Sequence, residues 1–252
     1  MVELCSKVHS NFGQKILRIL MVLKKSLTTE PICVHLQPKA NGQQILKKNK
    51  INKRFVYLIS PDKIKNENFY IDLAIVLSSR KVSFFQLRLK KESSLDKLVI
   101  GKKIKKICKK YKVKLIINDD PLLAKKLDAD GCHLGQKDMN LIIARKILKN
   151  KIIGITCHNS INLAKRGIEA GADYLAFGAF YASKTKTTKY RASLTILRSI
   201  KKITSLPIVA IGGVKLNNYK KLLLNKANFL AISGYIWNNK KYKPLEAIKK
   251  LK

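Results

Sequence analysis

Acidic residues, arginine and paired cysteines are what this sequence has least of. Only 15 Asp and Glu stand against 53 Lys and Arg, a formal charge of +38. Such an excess raises nucleic acid or anionic lipid as partners, but its texture argues otherwise. Arginine occupies only eight positions, the lysines spread over every segment, and aromatics do not interleave with the basic runs. Abundant Lys, Asn and Ile together fit a drift toward A/T-rich codons. A solvated lysine surface is therefore expected, with no specific nucleic-acid partner; weak nonspecific RNA binding and attraction of anionic small molecules follow from charge alone. The five cysteines (Cys5, Cys33, Cys108, Cys132, Cys157) are odd in number and contain no CxxC pair. That excludes a disulfide framework and points to a reduced, cytoplasmic setting. Cys5, His9, Cys33 and His35 lie close in sequence, but their spacings fit no zinc template. No apolar run is long enough to span a bilayer, so no membrane is expected. No small-residue cleavage site follows the apolar stretch Gly13–Leu23, so no secretory signal is expected either.

What is present begins at Arg54. Residues 1–50 differ from the remainder, with a basic amphipathic stretch at 13–23 and a lysine-rich end. They read as an N-terminal extension to a catalytic domain over 51–252. From Arg54, apolar strands and amphipathic helices alternate. Phe55–Ile59, Val82–Leu87, Ile152–Thr156, Tyr174–Phe177, Pro207–Ile211 and Phe229–Ile232 read as strands. Asn68–Ser79, Leu141–Leu148, Ile161–Ala170, Leu194–Ile203, Leu216–Leu224 and Leu245–Leu251 read as helical. Ile100, Ile104, Ile107 and Tyr111 form one apolar face opposite six lysines, the pattern of another surface helix. The remaining two strands lie in Leu115–Met139. There Ile116-Ile117 runs into Asn118-Asp119-Asp120, and Cys132-His133-Leu134 runs into Gly135-Gln136-Lys137-Asp138, with Pro121–Leu127 as the helix between them. Eight strand–helix repeats close a (β/α)8 TIM barrel, of α/β class, whose chemistry sits on the loops after the strands. An open doubly wound sheet would call for a Gly-rich loop after the first strand; Ser60-Pro61 stands there instead.

The strand ends form a chemical inventory. Alternation puts Gln86, Arg88 and Lys90 on one side, suited to a polyanion and a hydrogen-bonded ring. Asp119 and Asp138 follow strands three and four and converge on one rim, spaced either to share a hard cation such as Mg²⁺ or to cap loops. Thr156-Cys157-His158 ends strand five. Ser183-Lys184-Thr185-Lys186 after strand six carries hydroxyls and ammoniums of the kind that grip phosphate. Gly212-Gly213 ends strand seven and Ser233-Gly234 ends strand eight, where barrels commonly hold a phosphate. His133 alternates with buried residues and reads as structural.

In this order, QLRLK, IIND, ADGCHLGQKD, GITCH, GADYLAFGAFYASKTK and PIVAIGG resemble the thiamine phosphate synthases over about residues 54–237. That family joins 4-amino-2-methyl-5-hydroxymethylpyrimidine diphosphate to a thiazole phosphate, giving thiamine monophosphate and pyrophosphate. It uses Mg²⁺ and a dissociative, carbocation-like step. The resemblance implies that Gln86, Arg88 and Lys90 hold the pyrimidine diphosphate, with Asn118 beside them, and that Asp119 and Asp138 ligate Mg²⁺. Thr156 and Lys186 would bind the departing pyrophosphate; Ser183, Thr185, Gly213 and Ser233 would hold the thiazole phosphate. Arg88 and Lys186 would be catalytic, stabilising charge as it develops on the leaving group. Both partners are thus small phosphorylated molecules, and a homo-oligomer stays open.

The chain departs from the family pattern at several places. Asp120 stands where Arg is usual, Thr156 where Ser is common, Ser183 where Thr is usual, and Ala179 and Ala182 where proline is frequent. Two rival readings remain at this level. One is a thiazole tautomerase-like isomerase, which shares the barrel and has a catalytic histidine at the place of His158, but typically lacks the acid at Asp138. The other is an inactive phosphate- or RNA-binding barrel.

Overall fold

A computed structural model describes residues 54–64, 66–183 and 189–252. The extension expected over residues 1–50 lies outside the described residues, as do Lys184, Thr185 and Lys186.

Short apolar runs of four to seven residues make the strands. They are β1 (Val56–Ile59), β2 (Val82–Leu87), β3 (Lys114–Asn118), β4 (Gly131–Leu134), β5 (Ile152–His158), β6 (Tyr174–Phe177), β7 (Ile208–Ile211) and β8 (Phe229–Ile232). All pair in parallel and in sequence order, and β8 closes on β1. The helices between them are α1 (Asn68–Ser78), α2 (Ser94–Lys110), α3 (Pro121–Lys126), α4 (Leu141–Leu148), α5 (Ile161–Glu169), α6 (Leu194–Lys201) and α7 (Tyr219–Leu224). A four-residue α8 (Gly234–Trp237) and α9 (Pro244–Lys250) finish the chain. The α/β barrel expected from the alternation is the one observed. Among the described residues no helix is long and apolar enough to cross a membrane.

Local chemistry sets the helix starts. Ser93, Asp120, Asn140 and Ser160 each cap a helix, their side-chain oxygens accepting an N–H from the first turn. Asp120 and Pro121 together start α3: the carboxylate accepts from Leu123 N at 2.9 Å, and the proline occupies a position that needs no donor. Two expectations shift. The buried line of α2 runs through Gly101, Ile104 and Cys108, with Ile100, Ile107 and Tyr111 half-buried beside it. Gly101 turns inward because Leu127 packs where its side chain would be; a Cβ there would lie 2.5 Å from Leu127 Cδ1. The seventh helix begins at Tyr219 rather than Leu216. Asn218 accepts from Lys215 N at 2.8 Å and donates to Gly213 O at 3.0 Å, holding the preceding residues as a turn.

The period of two along each strand splits the core in two. Val56, Leu58, Phe85, Leu115, Ile117, Cys132, Leu134 and their equivalents pack against the helices. Tyr57, Ile59, Phe84, Ile116, Tyr174, Val209 and Phe229 fill the lumen. Aromatic rings dominate the lumen: Tyr57 stacks on Phe84 at 5.5 Å, and Phe84 meets Phe229 edge-on at 5.1 Å. Gly154 makes room for this filling, since a Cβ there would lie 1.9 Å from Cζ of Tyr174. The three described cysteines are free and buried in the helix-facing layer, where burial pushes their thiols up.

At the N-terminal face one device repeats. The residue before each of β4, β6 and β8 accepts a backbone N–H from the start of the preceding strand. Asp130 accepts from Leu115 N at 2.9 Å, Asp173 from Ile153 N at 2.8 Å, and Asn228 from Ile208 N at 2.9 Å. Arg145 locks the middle instance, donating to Asp173 Oδ2 at 2.6 Å and to the carbonyls of Lys149, Lys151 and Gly171.

Candidate active site

The C-terminal ends of the strands carry the polar groups, as parallel strand–helix repeats dictate. At the end of β3 the backbone of Asp119 adopts φ 63°, a left-handed turn that Asp tolerates better than most residues. Its amide donates to His133 O at 2.8 Å, tying the turn to β4. This brings its carboxylate within hydrogen-bonding reach of Asp138, and Lys90 Nζ lies 3.3 Å from Asp119 Oδ2. Asp138 also accepts from Gly135 N at 2.6 Å, so it braces its own loop. Burial, followed by the hydrogen bond to Asp119, raises the Asp138 carboxyl above the usual range. Burial also pushes on Asp119, but the bond from Asp138 and the Lys90 ammonium outweigh it and hold Asp119 below the usual range. The two carboxyls therefore disfavour carrying full charge together, a conflict that a shared cation would relieve. Among the described residues no group of three His, Cys, Asp or Glu is placed to hold a metal. Two carboxylates are nevertheless a donor set that Mg²⁺ accepts when it is also bound by phosphates.

Gln86, Arg88 and Lys90 stand on the β2 side of this pair. Arg88 is mostly buried and donates from Nη1 to Asp62 Oδ1 at 2.6 Å, while its amide donates to Ser60 Oγ at 3.0 Å. The guanidinium is thereby aimed before any ligand arrives. Asn118 ends β3 opposite His133 in register. Gln86 is buried and donates from Nε2 to Tyr57 Oη at 3.0 Å. Tyr57 Oη is 2.8 Å from Tyr174 Oη, which is 2.9 Å from His133 Nδ1; His133 Nε2 is 2.9 Å from Thr156 Oγ1. A continuous hydrogen-bonded chain therefore crosses the lumen between two of the expected ligand residues. His133 is buried in the lumen and stacked on Tyr174, in agreement with the structural role expected of it.

The β6–β7 side is built from backbone. Phe180 N donates to Ile211 O and Tyr181 N to Gly212 O, both at 3.1 Å, extending the sheet into the loop. Gly213 has φ +60°, and a Cβ there would lie 2.3 Å from Ala182 O, so only glycine fits beneath this loop. Ser183 is exposed at the outer end of the same loop. Ser233 donates its hydroxyl to Ser60 O at 3.0 Å, joining the ends of β8 and β1. His158 ends β5 with φ 52°, its ring stacked on Tyr190 at 3.8 Å. Both line an open hollow of about 380 Å³ with Gln136, Asn159, Ser160, Leu163 and Arg166.

The expected residues therefore fall into two groups. Gln86, Arg88, Lys90, Asn118, Asp119, His133, Asp138 and Thr156 are linked by bonds or strand register across β2 to β5. Gly213 and Ser233 follow β7 and β8; Ser233 meets that group through Ser60, whose hydroxyl accepts from Arg88 N, and Gly213 O is held by Asn218. Sequence reasoning missed Asp62, Tyr57, Tyr174 and Gln136, whose Nε2 donates to Thr156 O at 2.5 Å. A tyrosine at an inward position of an otherwise apolar strand was the available signal for Tyr57 and Tyr174.

Comparison with known proteins shows the family and the fold. A family model described as thiamine monophosphate synthase matches residues 56–236. A thiamine-phosphate synthase of Pelagibacter ubique is 84% identical over 207 residues, covering 82% of this chain and 100% of its own. One from Nitrosomonas eutropha is 40% identical over 184 residues, covering 73% of this chain and 86% of its own. Among solved structures, a thiamine phosphate pyrophosphorylase from Pyrococcus furiosus superposes with a TM-score of 0.70 at 26% identity. That match covers 79% of this chain and 94% of the other.

Proposed function

The chain belongs to the thiamine monophosphate synthase family and has its transferase activity, and from that premise we propose how the rim residues divide the reaction. Gln86 and Asn118 hold the pyrimidine, and Arg88 and Lys90 its diphosphate. Thr156 and Lys186 receive the departing pyrophosphate. Ser183, Thr185, Gly213 and Ser233 hold the thiazole phosphate. The carbon–oxygen bond to diphosphate breaks and its electron pair leaves with the diphosphate, while the thiazole nitrogen lone pair forms the new carbon–nitrogen bond. No proton changes hands, so neither aspartate needs to act as acid or base.

Charge builds on the leaving diphosphate as the bond lengthens. Arg88, already aimed by Asp62, and Lys186 stabilise that state more than the ground state, the condition for a faster reaction. Asp119 and Asp138 would hold Mg²⁺, which supplies positive charge to the diphosphate oxygens. The observation that carries this reading is the hydrogen-bonded carboxylate pair beside Lys90 at the ends of adjacent strands. The +38 surface draws in both anionic substrates, and the reducing cytoplasm is the setting in which the reaction would run.

Purified protein incubated with both phosphorylated substrates and Mg²⁺ tests the reading. Thiamine monophosphate and pyrophosphate should appear in equal amounts and stop on chelation with EDTA. Undiminished turnover after chelation would contradict the metal assignment; isomerised thiazole without thiamine monophosphate would contradict the reaction.

A further inference from the structure

The hydrogen-bonded chain through the lumen has a direction, and the direction has a chemical consequence. Burial pushes both phenols above their ordinary range, so Tyr57 and Tyr174 each carry one proton and can each donate once. A diphosphate oxygen accepts hydrogen bonds and cannot donate them. For Thr156 to bind it, the threonine proton must point at the anion, and Thr156 Oγ1 must then accept from His133 Nε2, 2.9 Å away. With its proton on Nε2, His133 accepts at Nδ1 from Tyr174, 2.9 Å away. Tyr174 Oη, having donated, accepts from Tyr57 across 2.8 Å. Tyr57 Oη in turn accepts from Gln86 Nε2 at 3.0 Å, the amide orientation that the structure has. The chain thus consumes an N–H of Gln86 and leaves its carbonyl oxygen uncommitted, five residues and four links from the anion.

We propose that this Gln86–Tyr57–Tyr174–His133–Thr156 chain is a specificity device: diphosphate at Thr156 fixes Gln86 with its carbonyl presented to the pyrimidine. A carbonyl acceptor welcomes the exocyclic 4-amino group, which donates. It rejects the 4-oxo analogue, which places a lone pair at the same position. The chain thereby makes anion binding at one end select the ring substituent at the other. The four links join β1, β2, β4, β5 and β6, strands whose partners lie far apart in sequence, so the setting is shared across the barrel and not local to one loop. Tyr57, Tyr174 and His133 act as positioning residues through the two ends. Gly154 belongs to the same device, because the Tyr174 ring occupies the space its side chain would take.

This inference rests on the reading of Gln86 and Thr156 as substrate contacts, and the test separates the two. The 4-amino pyrimidine diphosphate and its 4-oxo analogue are compared by kcat/KM in the wild type, in Tyr174→Phe and in Gln86→Ala. Tyr174→Phe keeps the ring and cuts the chain at its middle. The wild type should prefer the amino substrate by at least about a hundredfold, as sites built around a required hydrogen bond do. Tyr174→Phe should lower that preference about tenfold or more, with KM for the thiazole phosphate unchanged, because the freed amide can then turn over. An unchanged preference in Tyr174→Phe, whatever happens to rate or stability, would reduce the chain to core packing and overturn the proposal. If Gln86→Ala leaves KM for the pyrimidine diphosphate unaltered, the substrate assignment itself falls, and the proposal with it.

Discussion

The two ends of the same eight strands are built on opposite plans. At the N-terminal face one arrangement recurs: Ala129-Asp130, Ala172-Asp173 and Ala227-Asn228 precede β4, β6 and β8, and each polar side chain accepts an amide from the strand before. At the C-terminal rim nothing recurs. The stretches at the C-terminal ends of β2, β3, β4, β5 and β7 are QLRLK, NDD, GQKD, TCH and GG, and their contacts differ from one to the next. Repetition at one end does a job that alternate repeats share, satisfying the amides at the starts of β3, β5 and β7. Its absence at the other end marks groups chosen for a particular ligand. Disturbing the first should therefore cost stability, and disturbing the second should cost turnover.

The largest expected effect is at the rim. Arg88→Ala removes a guanidinium already aimed by Asp62, and kcat should fall by about a hundred- to a thousandfold, the usual loss when one preorganised donor to developing charge is deleted. The melting temperature should stay within a degree or two, since the side chain lies outside both apolar cores. A fall in stability matching the fall in rate would erase the distinction between the two ends. Next is Asp173→Ala at the opposite face. It strips Arg145 of its carboxylate and Ile153 N of its acceptor. Breaking a mostly buried pair from one side costs about 3 kcal/mol, read as a drop in denaturant midpoint, while kcat at 25 °C should match the wild type.

How much of this was legible in the sequence depended on range. The eight strands and their order could be read because apolar runs and amphipathic helices repeat locally. The Asp119/Asp138 and Gln86/Arg88/Lys90 groups were legible because a βαβ unit fixes which strand end each side chain occupies. Asp120 was legible only as an acid where the family has a base; that it caps α3 needed the geometry of Leu123 N. The lumen chain could not be read. Tyr57 and Tyr174 are 117 residues apart, and Tyr174 and His133 are 41 apart. Each looks like one more apolar residue in its own strand, and only barrel closure places the hydroxyls together. The helix face on α2 was read slightly off line for a similar reason. Gly101 is not apolar enough to signal burial, yet it is where Leu127 of the next repeat packs.

A smaller effect sharpens the comparison within the N-terminal face. Asp128 is exposed and paired with Lys151 at 2.5 Å and Lys105 at 3.0 Å, and these lysines lower its carboxyl to about 2. A depressed carboxyl contributes stability above its ordinary value and loses it as pH falls toards the folded value. The contribution of Asp128 should therefore be present at neutral pH and disappear between about pH 4 and pH 2. Solvent screening holds it to a few tenths of a kcal/mol. Asp128→Asn should show that small loss at pH 7 and none at pH 2, and the loss should shrink in high salt. An effect as large as that of Asp173→Ala would mean that exposure does not separate the two kinds of pair.

The measurement that tests the account most directly compares two acids at the rim. Asp138→Asn keeps an oxygen but removes a charge from the hydrogen-bonded pair, whereas Asp120→Asn keeps a good helix cap at the head of α3. Turnover of each variant is titrated against Mg²⁺ beside the wild type. Asp138→Asn should collapse at low Mg²⁺ and recover in part as Mg²⁺ is raised, while Asp120→Asn follows the wild-type curve. A wild-type Mg²⁺ curve for Asp138→Asn, or a shifted one for Asp120→Asn, would contradict the assignment of Asp119 and Asp138 as the metal-holding pair.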